Sequence, residues 1–116
     1  MLNINMRFKK GILIVKPQGN LTSDTAYILK YEFDKAIIKS GGKYVLLNLK
    51  DVNMIDKKGV EAIKKCSTRI LNNKGKFIIY GMNEIFNDYV QSNNNFYQIN
   101  EEEAVYGIVS LWEKNY

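Results

Sequence analysis

The residues of this chain that could do chemistry gather in two short loops and one helix start. Thr22-Ser23-Asp24-Thr25 sets three hydroxyls around a carboxylate, and Asp56-Lys57-Lys58-Gly59 sets a carboxylate and two amines beside a glycine. Lys64, Lys65 and Arg69 follow within a few turns, opposed only by Glu61. Groups of these types bind well: hydroxyls and carboxylates cap helices, and ammonium groups pair with acidic surfaces. They catalyse poorly. The chain has no histidine and a single cysteine, Cys66, so the commonest general base and metal ligand are missing and the thiol has no imidazole to activate it. Cys66 also sits at the edge of an apolar helical face, where burial is the simpler reading. Zinc is excluded on this inventory, whereas carboxylates alone leave a magnesium site open. No glycine-rich phosphate loop follows a strand, and Gly41-Gly42 follows a helix, as a stop signal. We expect no catalytic residue, no metal and no cofactor.

The elements that must position these loops are legible in the hydrophobic pattern. Ile4, Met6 and Phe8 alternate with polar residues, Lys10-Gly11 turns the chain, and Ile12–Val15 is apolar throughout, which predicts a β-hairpin whose second strand stops at Pro17. The Thr22–Thr25 cluster supplies N-cap types for a helix whose inward face is Ala26, Leu29, Phe33, Ala36 and Ile37, ended by Ser40-Gly41-Gly42. Tyr44–Leu47 and Phe77–Tyr80 read as strands covered on both faces. Between them, Asp56 caps a second helix with Val60, Ile63, Ser67, Ile70 and Leu71 inward. A short third helix carries Ile85, Phe86, Tyr89 and Val90, Phe96–Gln98 forms an edge strand, and Asn100 with Glu103 caps a last helix. Strands alternating with helices predict an α/β fold: a single-domain sandwich over residues 1–116, with a four- to five-stranded, mainly parallel mixed sheet, an N-terminal hairpin and helices packed on the sheet.

Composition is that of a globular domain, with 46% hydrophobic and 25% charged residues. The net charge of +5 is uneven: residues 1–76 hold 16 Lys/Arg against 6 Asp/Glu, and residues 77–116 hold 1 against 6. A basic segment of this kind can steer an acidic partner, although a lysine-rich solvated surface is the simpler reading. No aromatic residue interrupts the basic run between Tyr44 and Phe77, so nucleic acid is not expected. The lone cysteine, the absence of a signal-like N-terminus and the lack of any membrane-length apolar run predict a soluble, cytoplasmic protein with no membrane span. Oligomeric state is not readable from these features.

Four segments, in order, resemble the STAS-domain family, and in particular its bacterial anti-sigma-factor antagonists. Gly19–Ala26 is similar to the family's Gly-x-Leu-Asp loop and helix start. Val45–Val60 resembles its apolar strand, Asn-Leu-x-x-Val and Asp-Ser-Ser/Thr-Gly-Leu signature. Lys74–Gly81 is similar to its later Gly-Gly-x-Leu-x-Leu strand, and Asn100–Ala104 to the start of its last helix. The resemblance implies a protein-binding module that captures an anti-sigma factor of the serine-kinase type and so frees a sigma factor. It implies partner contacts at Thr22, Ser23, Asp24, Asp56, Lys57, Lys58 and Gly59. In the family the serine after the signature aspartate is phosphorylated, which weakens partner binding. Here Asp56 and Gly59 match, but Lys57 and Lys58 replace both hydroxyl residues, and no serine or threonine lies between Ser40 and Ser67. Phosphoregulation at the usual place is therefore not expected. The alternatives are a STAS accessory subunit of a lipid-transport or stress-sensing complex and a small nucleotide-binding protein. The missing histidine and glycine-rich loop weigh against the last.

Overall fold

A computed structural model describes residues 2–9, 11–41, 43–81 and 98–99 of the chain. Its elements are β1 (Leu2–Lys9), β2 (Ile12–Leu21), α1 (Ala26–Ser40), β3 (Tyr44–Asn48), β4 (Val52–Ile55), α2 (Lys57–Asn72), β5 (Lys76–Tyr80) and β6 (Gln98–Ile99). The sheet runs β1-β2-β3-β5-β6, with β4 on β2 beyond the end of β3. Among the described strands only the β1–β2 hairpin is antiparallel. This is the mixed α/β sandwich that the alternation of elements predicts.

Among the described residues, α1 and α2 cover one sheet face. Leu13, Val15, Val45, Leu47, Phe77 and Ile79 point to that face and join Leu29, Phe33 and Ile37 of α1 and Val60, Ile63, Cys66 and Ile70 of α2 in one core. Phe33 meets Phe77 edge-on at 6.2 Å between ring centroids, and burial of a ring of this size contributes about 1.5–3 kcal/mol. The alternate residues Ile12, Leu46 and Ile78 are buried on the opposite face, which explains why β3 is apolar at consecutive positions. Gly41 ends α1 in the left-handed region at φ 66°, its N–H donating to the Ile37 carbonyl at 2.8 Å.

Several expectations need correction. Pro17 does not end β2, which continues to Leu21. The β3 register stops at Val15 and the β4 register starts at Gly19, so among the described residues no parallel rung is required opposite Pro17 and its missing N–H is tolerated. The signature segment after β3 is not all loop: Val52–Ile55 is a strand, concealed because its buried ends flank exposed Asn53 and Met54 instead of alternating. Leu71 is exposed, since it lies at the edge of the α2 apolar sector in the last turn. Phe8, at the end of the hairpin edge strand, is also exposed. The edge strand expected at Phe96–Gln98 is described only as Gln98–Ile99, parallel to β5. The third and last helices, with Ile85, Phe86, Tyr89, Val90, Asn100 and Glu103, lie outside the described residues.

Candidate functional site

The two loops singled out by residue type meet at the end of the sheet where β2 and β4 run out. Leu21 and Ile55 are register partners, and the Asp56 N–H donates to the Leu21 carbonyl at 3.3 Å. Extended backbone at Asp56 (φ −122°, ψ −175°) turns its carboxylate over the start of α2. Oδ1 accepts from the Gly59 N–H at 2.9 Å, which is the N-cap bond. Oδ2 accepts from the Ser23 N–H at 2.8 Å, which ties the first loop to the second. One carboxylate therefore satisfies a donor in the loop before α1 and another in the first turn of α2.

Gly59 is fixed by proximity. A Cβ built there would stand 2.1 Å from the Leu21 carbonyl oxygen and 3.0 Å from the Ile55 side chain. Only glycine lets the first turn of α2 lie against the end of β2.

The first loop is held from inside by its threonines. The Thr22 N–H donates to Thr25 Oγ1 at 3.0 Å, and the Thr22 carbonyl accepts from the Thr25 and Ala26 N–H groups at 3.0 and 2.7 Å. Thr25 Oγ1 donates back to the Asn20 carbonyl at 2.6 Å. Thr25 occupies the N-cap position of α1, yet its side chain makes no capping bond, because the hydroxyl is spent on the loop behind it. The cluster of cap-type residues thus closes a turn and leaves Ser23 and Asp24 exposed.

Of the residues expected at a site, Ser23, Asp56 and Gly59 come together directly, and Thr22 is half-buried as part of the turn. Asp24 makes no hydrogen bond or ion pair among the described residues. Lys57 and Lys58 are exposed in the first turn of α2. The Lys58 ammonium lies 3.4 Å from a Glu61 carboxylate oxygen, while Lys57 has no ion pair among the described residues. Met54 is not singled out by residue type or spacing. It is an exposed apolar side chain on β4, two residues before Asp56. Its signal was an apolar side chain in a segment too short to show alternation. Beyond the first turn, a hollow of about 370 Å³ on the outer side of α2 is lined, among the described residues, by Glu61, Lys64, Lys65 and Thr68.

Cys66 is buried, and burial pushes its thiol up to about 12, so no thiolate forms near neutral pH. Among the described residues no three Cys, Asp or Glu side chains gather as metal ligands would. Among them, too, no helix is long and apolar enough to cross a membrane.

The model of the STAS domain matches residues 3–100. The chain belongs to the STAS-domain family. Within that family it is 30% identical over 74 residues to an anti-sigma F factor antagonist from Paenibacillus polymyxa, covering 64% of this chain and 62% of that protein. The match thus spans less than two thirds of that relative's length. The STAS fold is shared with solved structures. The anti-sigma factor antagonist SpoIIAA in its unphosphorylated form superimposes with a TM-score of 0.74 at 14% identity, over 91% of this chain and 97% of that one. A putative anti-sigma factor antagonist from Thermotoga maritima gives 0.78 at 18% identity, over 90% and 92%. In this STAS domain the Asp56–Gly59 signature is the junction just described.

Proposed function

We propose that this STAS domain is an anti-sigma-factor antagonist. It captures an anti-sigma factor of the serine-kinase type through the Ser23–Asp56 end of the sandwich and so frees a sigma factor. The observation that carries the reading is the junction itself: two loops are locked together by one carboxylate, and the helix start beside it projects Lys57 and Lys58. The resemblance to the Paenibacillus polymyxa antagonist supports the same partner class. An exposed helix start that presents Lys57 and Lys58, with apolar Met54 alongside, fits an acidic protein surface, where charge mainly raises the association rate.

The domain works without catalysis and in the cytoplasm. It is not controlled by phosphorylation after Asp56, because a lysine at position 57 cannot take a phosphoryl group as serine does. The two lysines oppose the α2 dipole by about 0.3–1 kcal/mol each at the surface, a cost that a contact role would explain.

The test is isothermal titration against each purified anti-sigma factor encoded in the same genome. The reading expects saturable binding to one of them that weakens as salt rises. Absence of binding to all of them would refute it.

A further inference from the structure

Helix α1 carries a second surface, remote in sequence from the Asp56 signature, that the proposed function does not use. Tyr27, Tyr31 and Ile38 are 69%, 63% and 75% exposed, and they are half of the large apolar side chains exposed among the described residues. Their spacing is four and then seven residues, which at 3.6 residues per turn aligns them in one stripe. With Asp34 between them they make a seam of period seven, in which Tyr31 and Ile38 are equivalent positions and Tyr27 and Asp34 are the alternate pair. The inward residues Leu29, Phe33 and Ile37 form a separate face of the same helix. Helix α1 is thus apolar on two faces, and only one is used by the core.

We propose that this seam docks an amphipathic helix of a protein partner, and that the residues flanking the apolar stripe of that helix are acidic. The inference goes beyond the proposed function and does not rest on it. Three observations select the occupant. The spacing is that of a seam on which a second helix packs. The residues flanking it are cationic: Lys30 on one side and Lys35 on the other, with the Lys35 ammonium 5.2 Å over the Tyr31 ring. Arg69 reaches in from α2, its Nη1 donating to Asp34 Oδ1 at 2.8 Å, while Lys30 pairs with the other Asp34 oxygen. Asp34 is therefore the one polar position of the seam, held in place by cations from both helices, and a fixed polar residue in an apolar seam sets register. Glu32, paired with Lys35, and Asp34 are the only acidic residues of α1. A second copy of this chain is a poor occupant. Antiparallel pairing would set Lys30 against Lys30 and Lys35 against Lys35, and parallel pairing would set Lys30 against Lys35, so either direction opposes like charges.

The experiment uses the full chain, isotopically labelled for amide NMR, and two designed 18-residue helical peptides. Both carry the same leucine seam; one has glutamate at the flanking positions and the other lysine. The glutamate peptide should bind saturably and at least about tenfold more tightly than the lysine peptide, with shifts centred on Tyr27, Tyr31, Asp34 and Ile38. Tyr31→Ala/Ile38→Ala should weaken it about tenfold without changing the thermal midpoint, since both side chains are exposed. Should that variant misfold, Ile38→Glu supplies the same reading by placing a repelling charge in the seam. Equal binding of the two peptides, no binding, or shifts confined to Lys57–Arg69 would overturn the proposal. So would binding of phosphatidylglycerol vesicles that is lost in the same variants, which would reassign the seam to a membrane surface.

Discussion

Ser23 and Asp56 lie 33 residues apart in sequence and are joined by a 2.8 Å hydrogen bond from the Ser23 N–H to Asp56 Oδ2. Because the other oxygen of the same carboxylate caps α2, the start of a helix and the loop before its neighbour are positioned by one side chain. Asp56→Ala removes both bonds and should destabilise the domain by about 1–3 kcal/mol. Asp56→Asn keeps an acceptor for one donor but presents an N–H₂ to the other, so it should fall between wild type and Asp56→Ala. Urea unfolding measures all three. Equal stability of Asp56→Ala and wild type would show that the junction is not holding the loops.

Gly59→Ala separates proximity from propensity. In an ordinary helix the change stabilises by up to about 1 kcal/mol. Here the added methyl would stand 2.1 Å from the Leu21 carbonyl oxygen. Prising α2 from β2 should destabilise by about 1–3 kcal/mol instead. A rise in thermal midpoint would mean that the two backbones are not in contact.

The Lys57→Glu/Lys58→Glu pair should weaken binding without lowering stability. Two glutamates in the first turn of α2 favour the helix dipole by about 0.3–1 kcal/mol each, against loss of the exposed Lys58–Glu61 pair, worth about 0.5 kcal/mol or less, and new repulsion of each glutamate by Glu61, about 0.2–0.5 kcal/mol apiece. The fold should therefore be as stable as wild type or slightly more so, while capture of the anti-sigma factor weakens. Lys9→Glu/Lys43→Glu, the same charge change at exposed positions at the far end of the strands, is the comparison. Equal losses of affinity from the two pairs would show that only overall charge matters.

Asp34 predicts a pH dependence. Burial alone would raise its carboxyl, but hydrogen bonds and charges from Lys30 and Arg69 hold it below its ordinary value of 3.8. A carboxylate with a lowered folded value contributes stability that is present above the unfolded value and is lost as pH falls through the folded one. The stability advantage of wild type over Asp34→Asn should be full at pH 7 and shrink below about pH 4. Unfolding curves at pH 7, 4 and 2.5 would show it, and an advantage independent of pH would contradict the assignment.

How far the sequence discloses this depends on the range of the interaction. Strands β3 and β5 are legible because Val45, Leu46 and Leu47, and Phe77, Ile78 and Ile79, are buried on both sheet faces and must be apolar without interruption. The Asp56 cap is legible because its donor is three residues away. Long-range geometry is not. The path of β2 through Pro17 depends on a gap between two partner strands, and the bond to Ser23 depends on the parallel register of Leu21 with Ile55. Thr25 misleads for the same reason: its type suits a cap, but the Asn20 carbonyl competes for its hydroxyl. The outer stripe of α1 escapes notice because the inward stripe already accounts for a helical period.

Antagonism of an anti-sigma factor by this STAS domain is measured by displacement. A preformed complex of the cognate anti-sigma factor with its labelled sigma factor is titrated with the purified domain, and free sigma factor is followed by fluorescence anisotropy. Saturable release is expected with the wild-type domain, requiring more protein with Lys57→Glu/Lys58→Glu. A complex that stays intact at saturating wild-type domain would contradict it.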